Sequence, residues 1–168
     1  MTLVHSFPPV VATAARALIV GSMPGVASLQ AQRYYAHPRN AFWPIVAAVG
    51  GFAADAPYAQ RLAALQQRGV ALWDVLQSCE RRGSLDSDIA PASQRVNDFA
   101  ALFAVQPGLR AVLCNGGTAH DLFVRHVAPI APPGLTVVRL PSTSPAHASS
   151  SFLQKLAAWR QALTPWLA

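Results

Sequence analysis

Carboxylates are scarce in this chain. Seven Asp and Glu stand against 13 Lys and Arg in 168 residues, for a net charge of +6 and a sequence pI of about 10.4. Such a balance suits a polyanionic partner, although a surface that simply lacks carboxylates gives the same number. Lysine is nearly missing too: Lys155 stands alone among the 13 cations, and the rest are Arg. Arginine favours bidentate phosphate contacts, and a GC-rich genome also enriches it. Charged residues make up only 12% of the chain and hydrophobic ones 52%, which excludes a disordered polymer. Long apolar runs are absent despite a mean hydropathy of +0.29, and none approaches the roughly 18 residues of a membrane span. The N-terminus carries no basic segment, and Pro8 and Pro9 fall where a signal core would lie. A soluble cytoplasmic protein is expected. The two cysteines, Cys79 and Cys114, are too few and too far apart for a closed zinc site, an iron–sulfur cluster or a disulfide framework. The five histidines form no ligand pair with a matching third residue, so neither metal nor cofactor is expected.

What is present is an alternation of apolar runs and helical patterns. Strands are expected at 17–20, 70–74, 109–114 and 135–140, and helices at 42–49, 56–67, 93–105, 118–127 and 149–163, with Thr118 as a cap. Residues 78–91 read as a polar loop. The last helix shows Phe152, Leu156, Trp159 and Leu163 on one stripe. This pattern implies a single α/β domain over residues 1–168. Its architecture is a three-layer α/β/α sandwich around a central four-stranded, mainly parallel sheet. Ligands of such sheets gather at the carboxyl ends of the strands. Three of the four strands end in loops rich in Gly, Asn, Ser or Pro: Gly21–Gly25, Asn115–Gly117 and Pro141–Pro145.

Each loop offers specific chemistry. The turn Gly21-Ser22-Met23-Pro24-Gly25 allows close approach of a ligand to the backbone, as any Gly/Pro turn would. In Tyr34-Tyr35-Ala36-His37-Pro38-Arg39-Asn40-Ala41-Phe42-Trp43, Pro38 holds His37 extended, and Asn40 is either a helix cap or a positioned side chain. Tyr35 could stack on a base, while Phe42 and Trp43 read as core. Asn115 could read a base edge with its amide or merely begin a turn. The small hydroxyl residues between the prolines of Pro141-Ser142-Thr143-Ser144-Pro145-Ala146-His147 could grip phosphates. His147 is either an electrophile or a solvated residue. A hydrolytic triad from Ser142 or Ser144 with His120 or His147 is conceivable, but no G-x-S-x-G elbow accompanies it. The glycines match neither a P-loop nor a dinucleotide fingerprint.

Taken together, these segments resemble the uracil-DNA glycosylase superfamily, and most closely its mismatch-specific and hypoxanthine-DNA glycosylase branch. Gly21–Gly25 is similar to the first motif, which lines the base pocket. His37–Trp43 is similar to the HP-x-N-x-FW segment, and Leu140–Ala148 lies where the DNA-inserting second motif belongs. The mismatch-specific enzymes carry an Asn in the first motif where this chain has Met23. The hypoxanthine branch also lacks it and uses an Asn matching Asn40. The resemblance therefore implies a monofunctional DNA N-glycosylase of base-excision repair. It would hydrolyse the bond to hypoxanthine, with uracil and xanthine as further candidates. Asn40 would orient water and His147 would assist the leaving base. Gly21 to Gly25, Tyr35 and Asn115 would form the pocket, and Arg39 with Pro141 to Ala146 would hold DNA. Ser144–Ala146 replaces the bulky wedge of relatives, so strand insertion should be weaker. Asp74 and Asp86 lie outside both motifs and remain outside candidates for a catalytic carboxylate, with Asp74 read first as a loop-orienting residue. The expected partner is double-stranded DNA carrying a deaminated base, with single-stranded DNA open as a second form, bound by a monomer near the nucleoid. Two other readings are a non-catalytic lesion-binding module of the same fold and an acyl or ester hydrolase.

Overall fold

Side-chain alternation along a few apolar strands decides the architecture. The computed structural model describes residues 1–168. Its strands are β1 (Thr2–His5), β2 (Ala17–Gly21), β3 (Val70–Asp74), β4 (Leu76–Arg81), β5 (Arg95–Val96), β6 (Ala111–Asn115) and β7 (Thr136–Leu140). Its helices are α1 (Val26–Ala31), α2 (Phe42–Gly50), α3 (Tyr58–Gln67), α4 (Phe99–Val105), α5 (Gly117–His126) and α6 (Phe152–Leu163). Strands β3, β2, β6 and β7 pair side by side in that order, all parallel.

In β2, Leu18 and Val20 point to one face of the sheet, and Ala17 and Ile19 to the other. Both sets are fully buried. The first face packs against Phe99, Leu102 and Phe103 of α4 and Ala119, Leu122 and Phe123 of α5. The second packs against Phe42, Ile45 and Val46 of α2, Leu65 of α3 and Trp159 and Leu163 of α6. This is the expected α/β/α sandwich, and strands buried on both faces explain the unbroken apolar runs. No helix is long and apolar enough to cross a membrane.

The structure corrects the boundaries in several places. Residues 78–91 are not all loop, because β4 runs to Arg81 between β1 and β5 in a second, antiparallel sheet. Its polar residues are partly turned inward, with Ser78 and Arg81 buried, which hid the strand from a hydrophobicity reading. Helix α1 was not expected. Helix α4 starts at Phe99 because the Asp98 carboxylate accepts from Ala101 N at 3.0 Å. Gly116, at φ +98°, caps α5 in place of Thr118. Helix α6 begins after Ser151, which forms a capping box with Gln154. Within its apolar stripe Phe152 is exposed, and the buried positions are Lys155, Trp159 and Leu163.

In chain order the parallel strands run second, first, third, fourth across the sheet. The order reverses between β2 and β6, and a crevice is expected beyond their carboxyl ends. Asp98→Ala should cost about 1 kcal/mol through loss of the cap, measured as a shift of the urea midpoint with unchanged m-value.

Candidate active site

The crevice is present. A cleft of about 480 Å³ opens at the carboxyl ends of β2, β3 and β6, within the roughly 300–1,000 Å³ usual for ligand pockets. Its wall includes Gly21 to Gly25, Tyr35, Asn40, Asn115, Ser142 to Ala146 and His147. All three loops expected to converge therefore do so. Arg39 is exposed outside the cleft, and Pro141 sits behind it, its carbonyl accepting from Trp159 Nε1 at 3.0 Å.

The loop from Pro141 to His147 is fastened at several points. Asn115 Nδ2 donates to Thr143 Oγ1, and Thr143 N donates to Asn115 Oδ1, both at 2.9 Å. Both ends of the Asn115 amide are thus engaged by a buried Thr, so its structural role is to hold the loop. Thr143 is accordingly turned away from solvent. The Thr143 carbonyl accepts from Ala41 N at 3.0 Å, which ties the loop to the start of α2. Lys155 Nζ donates to His147 O at 2.7 Å and reaches Ser144 O at 3.5 Å. The hydroxyl oxygens of Ser142 and Ser144 accept from the amides of Ser144 and Ala146, respectively. Neither serine meets a histidine. His147 pairs with Ser149 at 3.1 Å and His120 lies beside Asp121, so the conceivable triad is not assembled.

Asn40 is not the helix cap, which is Ala41; it forms a turn leading into α2 and lines the cleft. The Asn40 Oδ1 accepts from Phe42 N at 2.9 Å at the start of α2. One lone pair of that oxygen and the whole Nδ2 group remain for a ligand or water. Tyr35 stacks on Phe42, with centroids 3.8 Å apart and planes at 21°, so one ring face is already covered. Its φ of +56° is rare for an aromatic residue, and its hydroxyl is buried without a hydrogen-bond partner.

Three residues outside the motifs, Asp74, Asp86 and Arg81, form a charged cluster at the base of the cleft. Asp74 ends β3 directly beside Gly21 of β2, is only 4% exposed, and lines the cleft. Its Oδ1 crowds the place where a Cβ on Gly21 would stand, so a larger residue there would displace the carboxylate, and its Oδ2 has no hydrogen-bond partner. Burial first, and then the Asp86 carboxylate, push the Asp74 carboxyl up to about 7, with Arg81 opposing. Asp86 accepts from Ser22 Oγ at 2.6 Å and so fixes the turn after β2. Arg81 is buried and donates from Nη2 to the Pro24 carbonyl, while its Nε and Nη1 are unpaired. The available signal for Asp74 was a carboxylate closing the otherwise apolar strand VALWD. Its contact with Gly21 depends on strand pairing.

The raised Asp74 carboxyl makes stability depend on pH. The folded state holds a proton that the unfolded chain releases near the usual value of 3.8. The contribution is full below that value and is lost as pH rises to about 7. Asp74→Asn should flatten this decline and be the more stable form at pH 8, read by urea unfolding at pH 5 and 8. Lys155→Met leaves the His147 carbonyl without its donor, while the Ser144 carbonyl keeps the His147 amide, and should cost about 1–3 kcal/mol in the same assay.

Comparisons with known proteins agree with the fold. The profile of the uracil DNA glycosylase superfamily matches residues 8–168. A hypoxanthine DNA glycosylase of Methanosarcina acetivorans is 38% identical over 118 residues, covering 70% of this chain and 73% of that protein. Another from Methanosarcina barkeri is 37% identical over 113 residues, covering 67% and 70%. The solution NMR structure of a candidate uracil DNA glycosylase from Methanosarcina acetivorans superposes with a TM-score of 0.78 at 31% identity, over 95% of this chain and 98% of that one. With the cleft at the reversal of strand order and the match running from Pro8 to the last residue, this chain belongs to the uracil DNA glycosylase superfamily.

Proposed function

We propose that the protein is a monofunctional DNA glycosylase that hydrolyses the N-glycosidic bond of a deaminated base, hypoxanthine foremost, and leaves an abasic site. The observation that carries this reading is the cleft itself, which sets a buried polar floor against a rigid, solvent-facing loop at the switch point of the sheet. The activity named for the two Methanosarcina relatives supports hypoxanthine over uracil. So does Met23, a buried thioether that cannot orient water from the first loop.

The chemistry follows from the positions. A target nucleotide must leave the stack, at a cost of roughly a few kcal/mol that is smaller at a mispair. The exposed residues Pro145 and Ala146 and the half-buried Ser142 and Ser144 face the entering strand, and Arg39, exposed outside the cleft, is assigned a phosphate contact. Thr143 and Pro141 act from behind as anchors. Water accepted on the free lone pair of Asn40 Oδ1 is directed at the sugar as the base departs. The amides at the start of α5, at Gly117 and Thr118, and the His147 ring supply donors toward developing negative charge. The proposed substrate form is duplex DNA bound by one copy of the chain, in the compartment that holds the chromosome.

Single-turnover reactions on labelled duplexes carrying one hypoxanthine or one uracil, followed by alkali, test this reading. Cleavage at hypoxanthine and not at uracil is expected. Duplex binding with no cleavage at either base would make the protein a lesion-binding module instead. Asn40→Asp keeps the acceptor for Phe42 N, whereas Asn40→Ala loses it at about 1 kcal/mol of stability. Both should slow excision by about a hundredfold, and an undiminished rate in either would move the water-orienting role elsewhere.

A further inference from the structure

Two buried polar atoms at the floor of the cleft are unused by the fold. One is Oδ2 of Asp74 and the other is the hydroxyl of Tyr35. They come from separate elements, the last residue of β3 and the segment before α2, and meet over the same point. The Tyr35 hydroxyl lies 3.4 Å from where a Cβ on Gly21 would stand, and Asp74 Oδ1 lies closer still. A glycine there leaves room for the carboxylate. Tyr35 is held at φ +56°, a strained setting that persists where its surroundings enforce it. Leaving both atoms unpaired costs stability, and such groups in a cleft call for a ligand that satisfies them.

The two atoms differ in hydrogen-bonding sense. Burial first, and then the neighbouring Asp74, push the Tyr35 hydroxyl far up against a smaller opposing pull from the nearby Asn115 side chain, whose amide is bonded to Thr143, so the hydroxyl stays protonated and can donate. The Asp74 carboxylate, once ionised, is an acceptor only. The charged and titratable groups acting on Asp74 are Asp86, Arg81, Tyr34 and Tyr35. Deamination of adenine turns an edge with an acceptor at N1 and an amino donor at C6 into one with a donor at N1 and a carbonyl acceptor at C6.

Building on the glycosylase reading of this cleft, we propose that Asp74 and Tyr35 form a pair that reads this inversion. Asp74 accepts from the N1–H of hypoxanthine while Tyr35 donates to its C6 carbonyl. Adenine in the same pose sets the N1 lone pair against the carboxylate and its amino group against the hydroxyl. The mismatch that rejects it is at N1, where one acceptor faces an acceptor-only carboxylate, since the hydroxyl can turn to accept from the amino group. The ligand class is thus a nucleobase with a lactam edge. The Gly21 backbone forms the surface behind the pair, and a larger residue there would displace the carboxylate.

The test compares wild type, Asp74→Asn and Tyr35→Phe in single-turnover excision of hypoxanthine and adenine from duplex DNA between pH 5 and 9. Affinity for a duplex with an abasic site serves as the control for folding and DNA contact. Wild type should excise hypoxanthine with a rate that rises through about pH 7, as the carboxyl ionises. Each variant should lose roughly ten- to a hundredfold at pH 8, the worth of one hydrogen bond to a charged group, while holding abasic DNA as wild type does. Asp74→Asn, whose amide can rotate to offer either sense, should also lose the pH rise and narrow the hypoxanthine-to-adenine ratio. Wild-type rates and an unchanged pH profile in both variants would overturn the pairing and leave the glycosylase reading intact. Failure of wild type to excise any base would overturn both.

Discussion

The side-by-side parallel pairing of β2 and β6 is the constraint on which the cleft depends. Their register, from Ala17 against Ala111 to Val20 against Cys114, brings both strands to an end at the same level. The reversal of strand order at this pair leaves no helix over the gap between their carboxyl ends. Pairing of β2 with β3 on the other side then sets Gly21 beside Asp74. A shift of one residue in either pairing would turn alternate side chains to the opposite face and separate these groups. The core is thus not merely a source of stability. Apolar packing on both faces of β2 fixes the position of a carboxylate at its edge.

Around this frame the protein invests polar interactions unevenly. The loop from Pro141 to His147 is satisfied almost throughout, by Asn115, Ala41, Trp159 and Lys155. The floor is left short of partners at Asp74 and Tyr35, and Arg81 beside it has two unpaired nitrogens. A rigid rim and an unsatisfied floor are complementary states. The rim resists distortion when a strand presses on it, and the floor has bonds left to give to what enters. Asp86 and Ser22 brace the opposite wall, since their hydrogen bond joins the turn after β2 to the segment following β4.

Much of the fold was legible because the parallel strands are apolar on both faces and punctuated by Gly, Asn and Pro. Strand β4 was not, since Gln77, Glu80 and Arg81 break the apolar signal and the burial of Arg81 comes from tertiary neighbours. The loops of the site were legible by their composition. The state of their side chains was not: Asn115 and Thr143 look like ligand-binding groups in sequence, and only their proximity across 28 residues shows that they bind each other. Asp74 illustrates the converse. It stands outside the recognisable motifs, and its importance comes from pairing with Gly21, from burial and from a free oxygen. Sequence spacing encodes none of these.

The chain's one lysine has a chemical consequence. Lys155 is buried, bound to the carbonyls behind the loop, and its ammonium is destabilised by burial. No side-chain amine lines the cleft. Cleavage of a strand at a baseless sugar by β-elimination begins with an amine condensing on the C1′ aldehyde to form a Schiff base. Under the proposed reaction, a base released here without that nucleophile leaves an unbroken strand carrying a masked aldehyde. The next step in restoring the duplex therefore falls to an enzyme of a different reaction class, one that cuts the phosphodiester beside the vacant sugar.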